Sequence, residues 1–74
     1  MNNLIIKAVI SDSYAQEAKA KANLVNYITN SVGVGEHPDV VEECKKLVKQ
    51  IADARELRQT AKSLSINADG TINE

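Results

Sequence analysis

The residues of this chain that could do chemistry crowd into one short stretch. Glu36, His37 and Asp39 lie within four positions, and Cys44 follows. Two carboxylates and an imidazole, Glu36, Asp39 and His37, are metal-ligand types. A stable site needs three or four ligands from a clustered set, and the loop holds no second His and no Cys. A loop histidine that hydrogen-bonds the connection is the plainer reading. Cys44 and His37 could make a nucleophile and its base, but Cys44 falls on an apolar stripe, where Cys serves as a small hydrophobe. Gly33-Val34-Gly35 is a glycine pair of the kind that cradles phosphate. Here no strand pattern precedes it, no Lys follows, and Glu36 and Asp39 would repel a phosphate. Arg55, Arg58 and Lys62 share one side of a helix by their spacing and are candidates for weak, salt-dependent contact with DNA or phosphate. No aromatic residues are interleaved with them for stacking on bases, so a solvated helix face is the simpler account. The residues assign no catalytic group, no metal site and no cofactor.

The elements that position these residues follow from glycine, proline and hydrophobic period. Val32-Gly33-Val34-Gly35-Glu36-His37-Pro38-Asp39 reads as the end of one helix and the start of the next. Glycine accepts the left-handed backbone that closes a helix, and proline suits the first turn of a new one. Asp39 and Glu42 have capping-box spacing; the competing register has His37 as cap and Pro38 as first helical residue. In both, Glu36, Asp39, Glu42 and Glu43 place negative charge at the positive end of the helix dipole.

From Tyr14 to Ser31 the chain is rich in helix formers. Tyr14, Ala18, Ala22, Val25, Ile28 and Val32 make one apolar stripe, widened by Ala15, Leu24 and Tyr27, with Lys19 and Lys21 as solvated charges. Small residues at Ala18, Ala20 and Ala22 predict close approach of a partner helix. Upstream, Leu4-Ile5-Ile6 and Ala8-Val9-Ile10 have strand-like composition, yet no second clear strand pattern offers a pairing edge. We read them as first helical turns, either continuous from about Asn3 or broken by a kink at Ser11–Ser13.

The second helix runs from about Asp39 to Ser63 or Leu64. Its stripe is Val40, Cys44, Leu47, Ile51, Ala54, Leu57, Ala61, Leu64, close to a coiled-coil seam, with Val41 and Val48 broadening it. Basic residues follow acidic ones along it, which complements the dipole, and Glu42–Lys46 has the spacing of a favourable pair worth about 0.2–0.5 kcal/mol. After Ser63 the period fails. Asn67-Ala68-Asp69-Gly70-Thr71 is turn-like, only Ile66 and Ile72 remain to pack, and the last ten or so residues read as a mobile tail.

The predicted fold is therefore all-α: an antiparallel helical hairpin over residues 1–64 with a flexible tail over 65–74. Seventy-four residues, with no Phe or Trp, leave a thin aliphatic core that invites a partner or a second copy. One Cys excludes an internal disulfide. The apolar runs are too short to span a membrane, and the first residues lack the pattern of a signal peptide, so a cytoplasmic protein is expected. A net charge of −1 gives no global field for nucleic acid.

Four runs carry a resemblance. They are Ala18-Lys19-Ala20-Lys21-Ala22-Asn23-Leu24, then Asn26-Tyr27, then Val32 through Glu43, and Ile51-Ala52-Asp53-Ala54. Together they resemble a family of small proteins of T-even-type tailed phages associated with the UvsW helicase. The resemblance implies a phage protein in the cytoplasm of the infected host cell, tied to DNA recombination, replication and repair, with UvsW as a protein partner. It brings no helicase chemistry, since the chain has no Gly-x-x-x-x-Gly-Lys-Ser/Thr loop and is far too short for a motor domain. It implies that Gly33, Gly35, Glu36, His37, Pro38 and Asp39 are the family's signature loop. The expectation is a non-enzymatic accessory protein that acts through protein contacts, with weak DNA contact and no membrane or cofactor. The alternative is a self-associating hairpin, a dimeric four-helix bundle with no direct role in DNA metabolism.

Overall fold

The computed structural model describes residues 3–30 and 39–73. Helix α1 spans Asn3–Asn30 and helix α2 spans Asp39–Ser63. They run antiparallel against each other as a hairpin, followed by a two-stranded antiparallel ladder of β1 (Ser65–Ile66) and β2 (Ile72–Asn73). The molecule measures 56 × 17 × 12 Å, one helix thick, and among the described residues no third layer covers the pair.

Helix α1 is continuous through Ser11–Ser13. Ser13 turns inward, is fully buried, and its Oγ donates to the Ile10 carbonyl at 2.6 Å. That bond satisfies the hydroxyl inside the helix, so no kink forms there. The strand-like start of the chain is helix too, because its apolar side chains find a seam. Ile6, Val9 and Ile10 are half-buried, whereas Leu4 and Ile5 are exposed.

The face that α1 buries differs from the expected one. Its seam is Ile6, Ile10, Ser13, Glu17, Ala20, Leu24, Tyr27, in strictly alternating steps of four and three. Tyr14, Ala18, Ala22, Val25 and Ile28 lie on an exposed flank instead. Leu24 and Tyr27 belong to the seam, and of the small residues only Ala20 sits in it. The physical reason lies opposite. The α2 seam is Val40, Cys44, Leu47, Ile51, Ala54, Arg58, Ala61, with the same alternation. Arg58, not Leu57, occupies its turn of the repeat, and Leu57 is 46 % exposed. A helix that presents a buried cation must meet a face with an anion, and Glu17 is that anion.

Small residues set the spacing of the helices. Ala20, Ala54 and Ala61 are the buried apolar side chains of the core, and Ser13 joins them. The register that joins Glu17 to Arg58 places Ala20 level with Ala54 and Ser13 level with Ala61. Short side chains at facing levels let the backbones approach closely, and longer ones would push them apart. Ala54→Leu is therefore expected to destabilise the hairpin by about 1–3 kcal/mol through overpacking, read as a lower midpoint in urea with an unchanged slope. Ala52→Leu, on the exposed side of the same helix, should leave the midpoint unmoved.

The expected Glu42–Lys46 pair is replaced by two pairs at a spacing of three, Lys45–Glu42 at 3.6 Å and Lys46–Glu43 at 3.3 Å. Glu42, Lys45 and Lys46 are largely solvated and Glu43 is half-exposed, so neither pair contributes much. The tail has a defined turn. Gly70 takes φ +92° and its N–H donates to the Asn67 carbonyl, while the Asn67 N–H donates to the Thr71 carbonyl. Asp69 accepts from both the N–H and the hydroxyl of Thr71. Ser65 then pairs with Asn73 and Ile66 with Ile72. The turn-like composition of 67–71 is what closes this ladder.

Candidate functional site

The most distinctive side-chain cluster forms where the two seams carry charge. Glu17 is 8 % exposed. Its Oε1 accepts from Arg58 Nη2 at 2.7 Å, and its Oε2 accepts from Arg55 Nε at 3.0 Å and pairs with Lys21 Nζ at 3.0 Å. Lys21 comes from the next turn of α1 and the two arginines from α2, so the carboxylate ties the helices together. The Arg58 guanidinium lies over the Tyr14 ring at 4.0 Å from the centroid, and Lys62 stands 5.8 Å from the same centroid. The cation finds the negative face of the ring there. Lys21 is thus an ion-pair partner and not a purely solvated charge.

The electrostatics follow from this geometry. Hydrogen bonds from Arg58, then Lys21 and Arg55, favour the ionised carboxylate and lower the Glu17 pKa from 4.5 to about 2. Glu17 is consequently an anion across the physiological range and cannot donate a proton there. Three cations pair with one carboxylate and Lys62 stands beside Tyr14, so the cluster is locally positive although the chain as a whole carries a net charge of −1.

Arg55, Arg58 and Lys62 do share one side of α2, as their spacing implies. Their roles differ once the fold is closed. The Arg58 side chain is 14 % exposed and held by Glu17 and Tyr14, and its Nη1 has no hydrogen-bond partner among the described residues. Arg55 is 57 % exposed and Lys62 is exposed, so these two present charge to solvent. Asp39 opens α2 and is exposed. Gly33, Gly35, Glu36, His37 and Pro38 lie outside the described residues. Cys44 is a free thiol, half-buried in the seam. Among the described residues, no group of three or more His, Cys, Asp or Glu side chains could hold a metal ion.

Sequence reasoning passed over Glu17, took Lys21 for a solvated charge and put Tyr14 on the apolar stripe. Period does not find them. The alternation of four and three in α2 is matched in α1 by the line through Ser13 and Glu17 and equally by Tyr14, Ala18, Lys21, Val25, Ile28, Val32, and only the cation of Arg58 opposite selects the first.

The hairpin also exposes an apolar surface. Val25 is 61 % exposed, Val41 65 % and Val48 53 %. No helix among the described residues is long and apolar enough to cross a membrane. No family model matches the chain, and neither a curated protein nor a solved structure matches it.

Proposed function

We propose that this chain is a non-enzymatic accessory protein of phage DNA recombination, replication and repair. It works in the cytoplasm of the infected host cell by docking its helical hairpin on a protein partner. The resemblance in the run from Val32 to Glu43 and in Ile51–Ala54 points to the UvsW helicase as that partner. The observation that supports docking is the exposed aliphatic surface formed by Val25, Val41 and Val48 on a molecule only one helix thick. Exposed aliphatic side chains grouped on one face are a mark of an interaction site.

DNA contact in this reading is weak, because Glu17 neutralises much of the basic cluster. Arg55 and Lys62 supply the solvent-facing charge and Arg58 sits behind them. With about two phosphates neutralised, the logarithm of the duplex-binding constant should fall against that of salt with a slope of about −2. A slope near zero, or binding unchanged in an Arg55→Ala/Lys62→Ala variant, would remove the DNA contact from the proposal.

The docking test is an NMR titration of labelled protein with purified UvsW, and separately with single-stranded and branched DNA. Shifts on the helix flanks with the helicase support the accessory role. No shift with helicase or DNA at concentrations well above micromolar would overturn it. A second reading, a self-associating dimer that forms a four-helix bundle, draws support from the single-layer thickness. A monomer in sedimentation equilibrium at high concentration would dismiss that alternative.

A further inference from the structure

The exposed valines and the cationic cluster lie on the same face of the hairpin. Lys21 and Arg55 both reach Glu17 Oε2, and Tyr14 lies near Lys62 across the seam. These contacts place one flank of α1 and one flank of α2 side by side. Stepping by heptads along those flanks carries Lys21 toward Ile28, and Arg55 back to Val48 and Val41. Val25 lies one turn beyond Lys21, and Ala52 lies beside Val48. The face is therefore apolar toward the loop end and cationic toward the chain ends. Shallow depressions mark both halves. One is lined by Val41 and Val48 with Glu42, Lys45, Lys46 and Lys49 at its rim, the other by Tyr14, Glu17, Lys21 and Arg58.

This polarity selects an occupant. In a two-fold pairing of copies over this face, the exposed cations Lys21, Arg55 and Lys62 meet the same cations or the valine half. Among the described residues the carboxylate lining that half is Glu42, which is already paired with Lys45 at 3.6 Å, so a second copy offers three cations one shared anion. A helix that is aliphatic in one half and acidic in the other satisfies both halves at once, and two parallel ridges with a groove between them suit a third helix.

We propose that this face takes an amphipathic helix of another protein, aliphatic where it meets Val25, Val41 and Val48 and acidic where it meets Lys21, Arg55 and Lys62. The proposal deepens the docking role given above and rests on it for the existence of a protein partner. Glu17 holds Arg55 and Lys21 in place from beneath, so the cationic half is ordered before the partner arrives. The acidic half of the partner then sets its direction along the hairpin, since reversal would lay carboxylates on valines.

The test uses the full chain, isotope-labelled, and a synthetic helical peptide with leucines along one face of its first half and glutamates along the same face of its second half. Chemical-shift changes should fall on Val25, Val41, Val48, Arg55 and Lys62. A peptide with lysines in place of the glutamates should bind on the order of tenfold more weakly. Raising salt should weaken the glutamate peptide and not the lysine peptide. Val48→Asp should abolish binding, and Arg55→Glu/Lys62→Glu should reverse the preference between the peptides. All three positions are exposed, and unchanged helicity by circular dichroism confirms that these variants fold. Equal binding of the two peptides, or binding of neither, overturns the proposal. Concentration-dependent shifts of the same residues without peptide also overturn it, in favour of a second copy. If the peptide binds and UvsW does not, the surface assignment stands and the partner named above falls. If UvsW shifts other residues and the peptide binds nowhere, the accessory role stands and this proposal falls.

Discussion

Glu17→Leu is expected to cost the hairpin more than any other single substitution, with a thermal midpoint lower by on the order of ten degrees. The loss comes from the partner left behind. Arg58 lies in the seam, 14 % exposed, with the Tyr14 ring over its guanidinium and one nitrogen without an acceptor among the described residues. Without the carboxylate, the guanidinium must remain desolvated and unpaired or force the helices apart to reach water. Arg58→Leu should cost less, because Glu17 keeps Arg55 and Lys21. The double variant Glu17→Leu/Arg58→Leu removes both buried charges together, and its midpoint should return to that of the parent or exceed it. Its behaviour in sedimentation should change, however. Two seams without a charge pair no longer specify one antiparallel pairing, and higher oligomers should appear. A double variant as unstable as Glu17→Leu alone would refute this account of the cluster.

The second large effect is acid lability. The folded-state pKa of Glu17 is depressed to about 2 against an ordinary 4.5, chiefly by Arg58 and then by Lys21 and Arg55. A depressed carboxylate stabilises the fold fully above its unfolded-state pKa. That contribution declines as pH falls below about 4.5 and is gone once pH passes through about 2. The midpoint should therefore hold level from neutrality to about pH 5 and then drop steeply. Glu17→Gln should start lower at neutral pH and lose most of the acid limb, so that the two curves converge near pH 2. Asp69 contributes in the same direction, since the Thr71 N–H and then its hydroxyl lower its pKa. Its share is confined to the turn between β1 and β2. Parallel curves for the parent and Glu17→Gln would place the acid sensitivity elsewhere in the molecule.

The amino-acid sequence by itself determined the all-α hairpin, because that information is local. Ala, Lys, Glu, Gln and Leu favour helix, and the glycines and Pro38 separate two long periodic runs. It determined nearly all of the α2 seam, since Val40, Cys44, Leu47, Ile51, Ala54 and Ala61 are the apolar residues on one line. It also placed Arg55, Arg58 and Lys62 on one side of α2. The tertiary structure alone decided which face of α1 is buried. Two lines along α1 compete, and the more apolar one, from Tyr14 to Ile28, is left in solvent. The line that wins carries Ser13 and Glu17, residues that cost free energy to bury alone. Ser13 is satisfied by the Ile10 carbonyl one turn away, but Glu17 is satisfied largely from residues 38 and 41 positions along the chain. A carboxylate's fitness for the interior depends on cations that only folding brings to it. The same long-range fact turned Arg58 from a surface charge into a core residue, displaced Leu57 toward solvent, and set the valines and the remaining cations on one exposed face.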